Sequence, residues 1–199
     1  MSNTGRILFI DNEDSFVYNL VDAYGARGHA IDVFRCDWPT PEALDYITEH
    51  KPDLVVLSPG PRGPKDARLC NELLESAPAD LPIFGVCLGF QCIVEHFGGS
   101  VQPTGSPAHG KAAMITHDDG PTWTGVENPF VAGRYHSLAA TRIPDVLRVT
   151  ARMNEMAMAV QHVSRPVIGV QFHPESVLTP SGQTILDNVM EQLSGGPSL

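Results

Sequence analysis

The chain has 199 residues, 42% of them apolar and 18% charged, which is typical of a globular protein and too apolar for a disordered one. The net charge of −10 argues against nucleic acid as a partner, because that binding depends on Lys and Arg neutralising phosphates. The sequence shows neither an apolar run long enough to span a membrane nor a signal-peptide pattern, so we expect a cytoplasmic protein without a membrane partner.

The first half of the chain alternates apolar β-type runs with helical segments. Apolar residues at helical spacing follow each β-type run. The predicted strands cover residues 6–11, 30–35, 53–58 and 81–86, and the predicted helices cover 14–28, 41–50, 66–76 and 88–99. This order indicates βαβ units, in which a buried parallel sheet carries helices on both faces.

After Gly99 the pattern changes to short β-type runs separated by Gly and Pro turns. These runs cover residues 111–116, 155–162 and 167–173, and a final helix is predicted over 181–193. They predict added strands and a small antiparallel extension. No linker or repeat is visible, so we expect one α/β domain over residues 1–199, with an open, mostly parallel sheet flanked by helices on both faces.

The four cysteines show neither a CxxC pair nor a Cys/His spacing typical of zinc; they are Cys36, Cys70, Cys87 and Cys92. We therefore expect reduced thiols and no metal site. The sequence also contains no pattern that calls for a cofactor.

One cysteine follows a predicted strand at a sharp turn. Residues 85–89 (GVCLG) have the form of a nucleophile elbow, in which small flanking residues permit a strained turn. A thiol at a helix N-terminus is favoured as thiolate, and the backbone amide of Leu88 is placed to bind an oxyanion. A buried, unreactive Cys87 is the alternative interpretation.

A second polar group ends the last predicted strand. In residues 171–176 (QFHPES), His173 and Glu175 are two residues apart and can share one face of an extended chain, so that the carboxylate orients the imidazole. A cysteine nucleophile needs a base that takes its proton and returns it to the leaving amine. Alone, such a pair is more often a structural hydrogen bond. Together with the elbow, it predicts a triad of Cys87, His173 and Glu175.

The loop 58–64 (SPGPRGP) also follows a predicted strand directly. Ligands of open parallel sheets bind beyond the carboxyl ends of the strands. Gly60 has no side chain, so a backbone amide there can approach a substrate and act as a second oxyanion donor. A simple Pro/Gly turn is the alternative.

Six motifs, in order, resemble those of the class I, triad-type glutamine amidotransferases, particularly the small subunits of anthranilate synthase and aminodeoxychorismate synthase. The resemblance extends from Ile7 to Leu193. It rests on DNEDSFVYNLV (11–21), SPGP (58–61), GVCLGFQ (85–91), HGK (109–111), RYHSL (134–138) and GVQFHPES (169–176).

The resemblance implies a reaction on L-glutamine. Cys87 would attack the side-chain amide to give a γ-glutamyl thioester and ammonia, and water would then release glutamate. His173 would act as base and then as acid, with Glu175 as its support.

The resemblance also implies a glutamine pocket. Gly60 and Leu88 would supply amides around the oxyanion and substrate, and Gln91 would line the pocket. Ser137 and Leu138 would contact the α-amino and α-carboxyl end of glutamine.

Three positions depart from the family pattern. The family usually has His at Phe90, usually Gly at Arg62, and often Tyr at Glu13. Phe90 removes a polar group beside the elbow, and Arg62 places a long cation in the loop expected to touch glutamine. We hypothesise that these changes alter glutamine affinity or the response to a partner.

A partner must use the ammonia, because no segment suggests a site for chorismate, ATP or a nucleotide. The resemblance implies a chorismate-using synthase large subunit, which is a separate chain contacted by the HGK and DNEDSF segments, and anthranilate as the leading product. Aminodeoxychorismate and 2-amino-2-deoxyisochorismate synthases are alternative partners. A stand-alone cysteine hydrolase and a non-catalytic regulatory subunit are alternatives of other classes.

Overall fold

The computed structural model describes residues 5–105 and 107–195. The strands are β1 (Arg6–Asp11), β2 (Ala30–Arg35), β3 (Leu54–Leu57), β4 (Ile83–Val86), β5 (Ser100–Pro103), β6 (Lys111–His117), β7 (Phe130–Arg134), β8 (Leu138–Arg142), β9 (Leu147–Met153), β10 (Met156–His162) and β11 (Val167–Val170). The α-helices are α1 (Val17–Gly25), α2 (Thr40–His50), α3 (Arg68–Ser76), α4 (Leu88–His96) and α5 (Gly182–Ser194). Short 3₁₀ turns cover Pro64–Asp66 and Pro121–Trp123.

A nine-stranded sheet forms the centre of the molecule, in the order β2-β1-β3-β4-β11-β10-β9-β6-β7. The first five strands in this order pair in parallel, and the last four continue the sheet through antiparallel pairs. Strands β5 and β8 form a separate antiparallel pair. The predicted α/β class, with a mostly parallel sheet and an antiparallel extension, is confirmed.

Alternate side chains of the parallel strands enter two apolar cores, one on each face of the sheet. In β1, Ile7 and Phe9 pack with α1 and α5, whereas Leu8 and Ile10 pack with α2, α3 and α4. All four side chains are fully buried. A strand that is covered on both faces needs apolar residues at every position, which explains the continuous apolar runs in the sequence.

The carboxyl ends of three parallel strands meet at one edge of the sheet. Leu57 at the end of β3 pairs with Gly85, and Val170 at the end of β11 pairs with Val86 at the end of β4. The segments that follow these strands therefore begin side by side. They are the loop after β3, the turn at Cys87 and the segment after β11.

Every predicted strand and helix overlaps one observed element, but four observed strands were not predicted. These are β5, β7, β8 and β9. Arginine ends two of them, at Arg134 of β7 and Arg142 of β8, and Arg148 and Arg152 lie within β9. Strands β7 and β9 lie in the antiparallel half of the main sheet, and β5 and β8 form the separate antiparallel pair. One side of an antiparallel strand can face water, so these sequences lack the continuous apolar pattern.

Among the described residues, no helix has both the length and the apolar character needed to cross a bilayer.

Candidate active site

Cys87 lies in the tight turn between β4 and α4, with φ 52° and ψ −96°. A positive φ is strained for a residue with a side chain, and such strain often occurs at functional sites. The two flanking glycines make this turn sterically feasible. A Cβ atom on Gly89 would lie 2.2 Å from the carbonyl oxygen of Leu57, and one on Gly85 would lie 2.6 Å from the carbonyl carbon of Gly89.

Leu88 is the first residue of α4, directly after the thiol. The amides of the first helical turn have no acceptor within their own helix. The Leu88 amide is therefore available for a developing negative charge beside Cys87, where the helix dipole also favours an anion.

His173 and Glu175 form a buried pair in the segment after β11. Nδ1 of His173 lies 2.6 Å from Oε1 of Glu175, and the two side chains are 2% and 0% exposed. The backbone of His173 is tied to β7, because its N–H donates to Gly133 O at 3.0 Å. The Thr179 hydroxyl donates to His173 O at 2.7 Å and accepts from Gly133 N at 3.0 Å. It therefore links His173 to β7 a second time.

Charge and hydrogen bonding favour a protonated imidazole at this position. Burial lowers the pKa of His173, but interactions with Cys87 and Glu175 outweigh it and raise the pKa to about 10. Because Nδ1 is bonded to the carboxylate, Nε2 is the nitrogen left for the thiol. Nε2 has no hydrogen bond of ordinary geometry to a described residue. The pair can therefore hold a proton next to Cys87.

Gln171 also contacts the thiol, a role that the sequence did not reveal. Its Nε2 lies 3.7 Å from Cys87 Sγ, and its Oε1 accepts from Gln91 Nε2 at 3.3 Å. Both amides are buried. The predicted pocket residue Gln91 is thus linked to the nucleophile through Gln171. The only available signal was that Gln171 precedes His173 by two residues and so points to the same side of an extended chain.

Two aromatic rings cover the imidazole. The centroids of Phe16 and Tyr135 lie 5.2 and 4.9 Å from that of His173, both edge-on, and 4.8 Å from each other. The Tyr135 hydroxyl lies 3.2 Å from Ser176 Oγ. These rings limit the rotation of His173 and keep its surroundings apolar. Both belong to segments singled out in the sequence, although neither was assigned a role.

The loop after β3 packs directly against the start of α4. A Cβ atom on Gly60 would lie 2.5 Å from Leu88 Cδ2 and 2.6 Å from Asn12 Cβ, so only glycine fits there. Asn12 holds the loop, since its N–H donates to Ser58 Oγ at 2.9 Å and its side-chain amide donates to Ser58 O at 3.0 Å. The structure therefore brings Gly60 and Leu88 together.

The other two predicted pocket residues lie between β7 and β8. Ser137 is exposed and lines a cavity of about 410 Å³ together with Pro107, Ala108, His109, Lys111 and Tyr135. Leu138 is half-buried, and its Cδ1 would lie 3.4 Å from a Cβ atom on Gly63. The turn at residues 137–138 thus faces the loop that carries Gly60.

The three departures from the family pattern occupy different environments. Phe90 is fully buried, and its ring packs on Gly169 of β11. Arg62 is exposed with a φ of 72°, a conformation that glycine adopts without strain. Glu13 also has a positive φ, 63°, and forms an exposed ion pair with Arg35.

Within residues 5–105 and 107–195, no group of three or more His, Cys, Asp or Glu side chains is arranged to hold a metal ion.

Comparison with known proteins agrees with this geometry. The profile of the glutamine amidotransferase class-I family matches residues 8–193. Anthranilate synthase component 2 of Vibrio parahaemolyticus is 42% identical over 186 residues, covering 94% of this chain and 95% of that protein. Aminodeoxychorismate/anthranilate synthase component 2 of Bacillus subtilis is 44% identical over 188 residues, covering 93% and 95%.

A solved structure has the same fold. A protein of Thermoplasma acidophilum, provisionally named as part of a GMP synthase, superposes with a TM-score of 0.85 at 22% identity, covering 98% of this chain and 96% of that one. The profile match, the two relatives and the shared fold confirm the resemblance derived from the sequence motifs. The chain belongs to the class I glutamine amidotransferase family.

Proposed function

We propose that the chain hydrolyses L-glutamine to glutamate and ammonia through Cys87, His173 and Glu175. The observation that carries the proposal is the buried His173–Glu175 pair beside a thiol held at a strained turn. The thiolate attacks the γ-carboxamide carbon, and protonated His173 gives its proton to the leaving amine. Ammonia departs and a γ-glutamyl thioester remains. Neutral His173 then takes a proton from the water that attacks the thioester. Glutamate is released as the thiolate leaves, which restores the thiolate and protonated His173.

The substrate pocket is proposed at the same edge of the sheet. The amides of Gly60 and Leu88 surround the oxyanion that develops on the γ-carbonyl. Gln91 lines the pocket, and its hydrogen bond to Gln171 holds its side chain there. Ser137 and Leu138 bind the α-amino and α-carboxyl end, a role supported by their position opposite the Gly60 loop.

Assays of glutamate release, alone and with a chorismate-using synthase, test this function. We expect hydrolysis that accelerates with the partner. A non-catalytic regulatory subunit would release no glutamate in either setting. A stand-alone hydrolase would work at the same rate with or without the partner.

We propose that the ammonia is delivered to a synthase large subunit in a separate chain, and that anthranilate is the product. The relatives in Vibrio and Bacillus are both named as component 2 of a synthase, which supports a subunit role. The Bacillus name covers aminodeoxychorismate as well as anthranilate, so that product is the main alternative, with 2-amino-2-deoxyisochorismate a further one. No cofactor is needed for the glutamine reaction. We further propose that residues 1–199 act as one amidotransferase domain in the cytoplasm.

Two exposed apolar side chains close in sequence to site residues support a docking face there. Tyr18, on the first turn of α1, is 60% exposed and lies two residues from Phe16. Val177 is 95% exposed and lies two residues from Glu175. Exposed apolar side chains at the rim of a site often mark a protein contact. A partner seated here would receive ammonia directly from the site.

Charged substitutions on this face are expected to weaken binding of the large subunit. Tyr18→Asp and Val177→Asp should each raise the Kd of the complex by about tenfold or more, because a carboxylate would be desolvated at the interface. Titration calorimetry measures the Kd. Val163→Asp is the matched control, because Val163 is also 60% exposed but lies just before β11, at the opposite end of that strand from His173. An equal loss in the control would contradict this docking face.

The Arg62→Gly variant tests whether the cation in the glutamine loop matters. Removing a side chain from a left-handed backbone should raise the free energy of unfolding by about 0.5–1 kcal/mol. If Arg62 tunes glutamine binding, the KM for glutamine should change by about twofold or more. Urea unfolding and glutaminase kinetics, with and without the partner, measure the two effects. An unchanged KM in both settings would refute the role in affinity.

A further inference from the structure

Arg134 and His136 form a buried polar pair that the proposed reaction does not use. They are 7% and 4% exposed. Nε of Arg134 donates to Nε2 of His136 at 3.1 Å, and Nδ1 of His136 lies 2.7 Å from the carbonyl oxygen of Leu138. Within the described residues, Arg134 forms no ion pair with a carboxylate and its Nη2 has no hydrogen-bond partner. A guanidinium buried in this way needs an explanation.

The hydrogen bonds determine which nitrogen of His136 carries the proton. Guanidinium N–H groups only donate, so Nε2 of His136 accepts and must be unprotonated. The proton therefore lies on Nδ1 and is donated to Leu138 O. Burial, together with the positive charge of Arg134, lowers the pKa of His136 to about 4 in spite of the bond to Leu138. His136 is thus neutral near pH 7, with one tautomer selected by its neighbour.

This tautomer completes a set of three bonds to consecutive carbonyls. His136 O accepts from Ala108 N at 3.0 Å, and Ser137 O accepts from Thr104 N at 2.8 Å. The imidazole supplies the donor for the third carbonyl, that of Leu138. All three peptide groups of the turn are therefore held in a defined orientation. The first two bonds come from the backbone, so only the third depends on a replaceable side chain.

His136 is poorly suited to proton transfer in the reaction. Its Nε2 is occupied by Arg134, and its Nδ1 by Leu138 O. A base for glutamine hydrolysis needs a free nitrogen near the thiol. Nε2 of His173 is such a nitrogen, whereas His136 has none. Any effect of His136 on function is therefore indirect and depends on the turn that it holds in place.

We infer that Arg134 and His136 are positioning residues that set the affinity for the α-amino and α-carboxyl end of glutamine by holding the Ser137–Leu138 turn. This inference rests on the proposed function. Binding to the α end is the same in the ground state and the transition state, because the chemistry occurs at the γ-carbon. Loss of the turn should therefore raise KM and leave kcat nearly unchanged.

His136→Leu and His136→Asn separate positioning from packing. Leucine keeps the volume but cannot donate to Leu138 O. The amide nitrogen of asparagine takes the place of Nδ1 and can donate the same bond. We expect the Leu variant to raise the KM for glutamine by about tenfold with kcat within threefold of wild type, and the Asn variant to recover most of that loss. An unchanged KM in the folded Leu variant would overturn the inference.

Binding without turnover gives a second measurement. In a Cys87→Ser background, calorimetry reports the Kd for glutamine directly, and His136→Leu should weaken it by the same factor. His162→Leu is the matched control, because His162 is also buried and accepts two backbone N–H bonds, from Ser164 and Arg165, in a turn just before β11. It should lower stability but keep the Kd. An equal rise of the Kd in the control would show that His136 acts only by general packing, and it would overturn the inference.

The tautomer can be checked in the wild-type protein. Nitrogen-15 NMR at pH 7 should show Nδ1 of His136 protonated and Nε2 unprotonated, and the opposite pattern would overturn the inference even if the variants do not fold. The outcomes also separate this inference from the proposed function. If wild type neither binds nor hydrolyses glutamine, the proposed function fails and the inference with it. If wild type does both and His136→Leu changes neither, only the inference fails.

Discussion

Cys87→Ala is expected to lower glutamine-supported synthesis by about 10³-fold or more, because it removes the atom that forms the thioester. Synthesis from ammonium, which needs only the partner's chemistry, should continue at the wild-type rate. The proposed docking face at Tyr18 and Val177 is unchanged in this variant, so the complex should still assemble.

The measurement compares product formation from glutamine with product formation from ammonium in the same complex. Cys92→Ala is the matched control. Cys92 lies on α4, five residues after Cys87, and is fully buried against the core. It should retain both activities. If Cys87→Ala still hydrolysed glutamine, another nucleophile would be required and the proposed mechanism would be wrong.

The central parallel strands were predictable because they are covered on both faces. Such strands appear in the sequence as continuous apolar runs, which form β1, β3 and β4. The edge strand β2 includes polar residues and is only partly buried. The antiparallel half was predictable only in outline. Strands β7 and β9 mix buried and exposed positions, so their composition does not separate them from loops.

The candidate triad was visible in the sequence because local geometry constrains it. A cysteine between two close glycines implies an elbow, and a spacing of two residues places His173 and Glu175 on one face. The structure brings these residues together with Gly60 and Leu88 through the shared carboxyl edge of the sheet. Topology alone therefore accounts for most of the site.

The remaining contacts of the site were beyond sequence reasoning, because they join segments far apart in the chain. Phe16 and Tyr135 contact His173 edge-on from two different loops. Thr179 bridges the backbone N–H of Gly133, 46 residues before it, and the carbonyl of His173. No periodicity encodes such pairs. They depend on how loops fold over the sheet edge, which the apolar pattern does not determine.

His173→Gln and Glu175→Ala are expected to differ in severity, because the two residues act at different distances from the substrate. Loss of the base should lower the rate of glutamine hydrolysis by about 10³-fold or more. Loss of the carboxylate leaves the imidazole packed against Phe16 and Tyr135, so we expect a loss of about 10- to 100-fold. His162→Gln, at a buried histidine outside the site, should retain full activity.

The titration of His173 gives a signature that a purely structural role for Glu175 would not produce. Burial lowers the pKa of His173, whereas contacts with Cys87 and Glu175 raise it to about 10, so wild-type imidazole keeps its proton through neutral pH and loses it near pH 10. Glu175→Gln preserves the shape of the side chain but removes its negative charge, and the pKa of His173 should fall because burial is then less opposed. NMR titration of the imidazole measures this shift. An unchanged pKa of His173 in Glu175→Gln would show that the carboxylate does not stabilise the proton on His173. The mechanism would then depend on Cys87 and His173 alone.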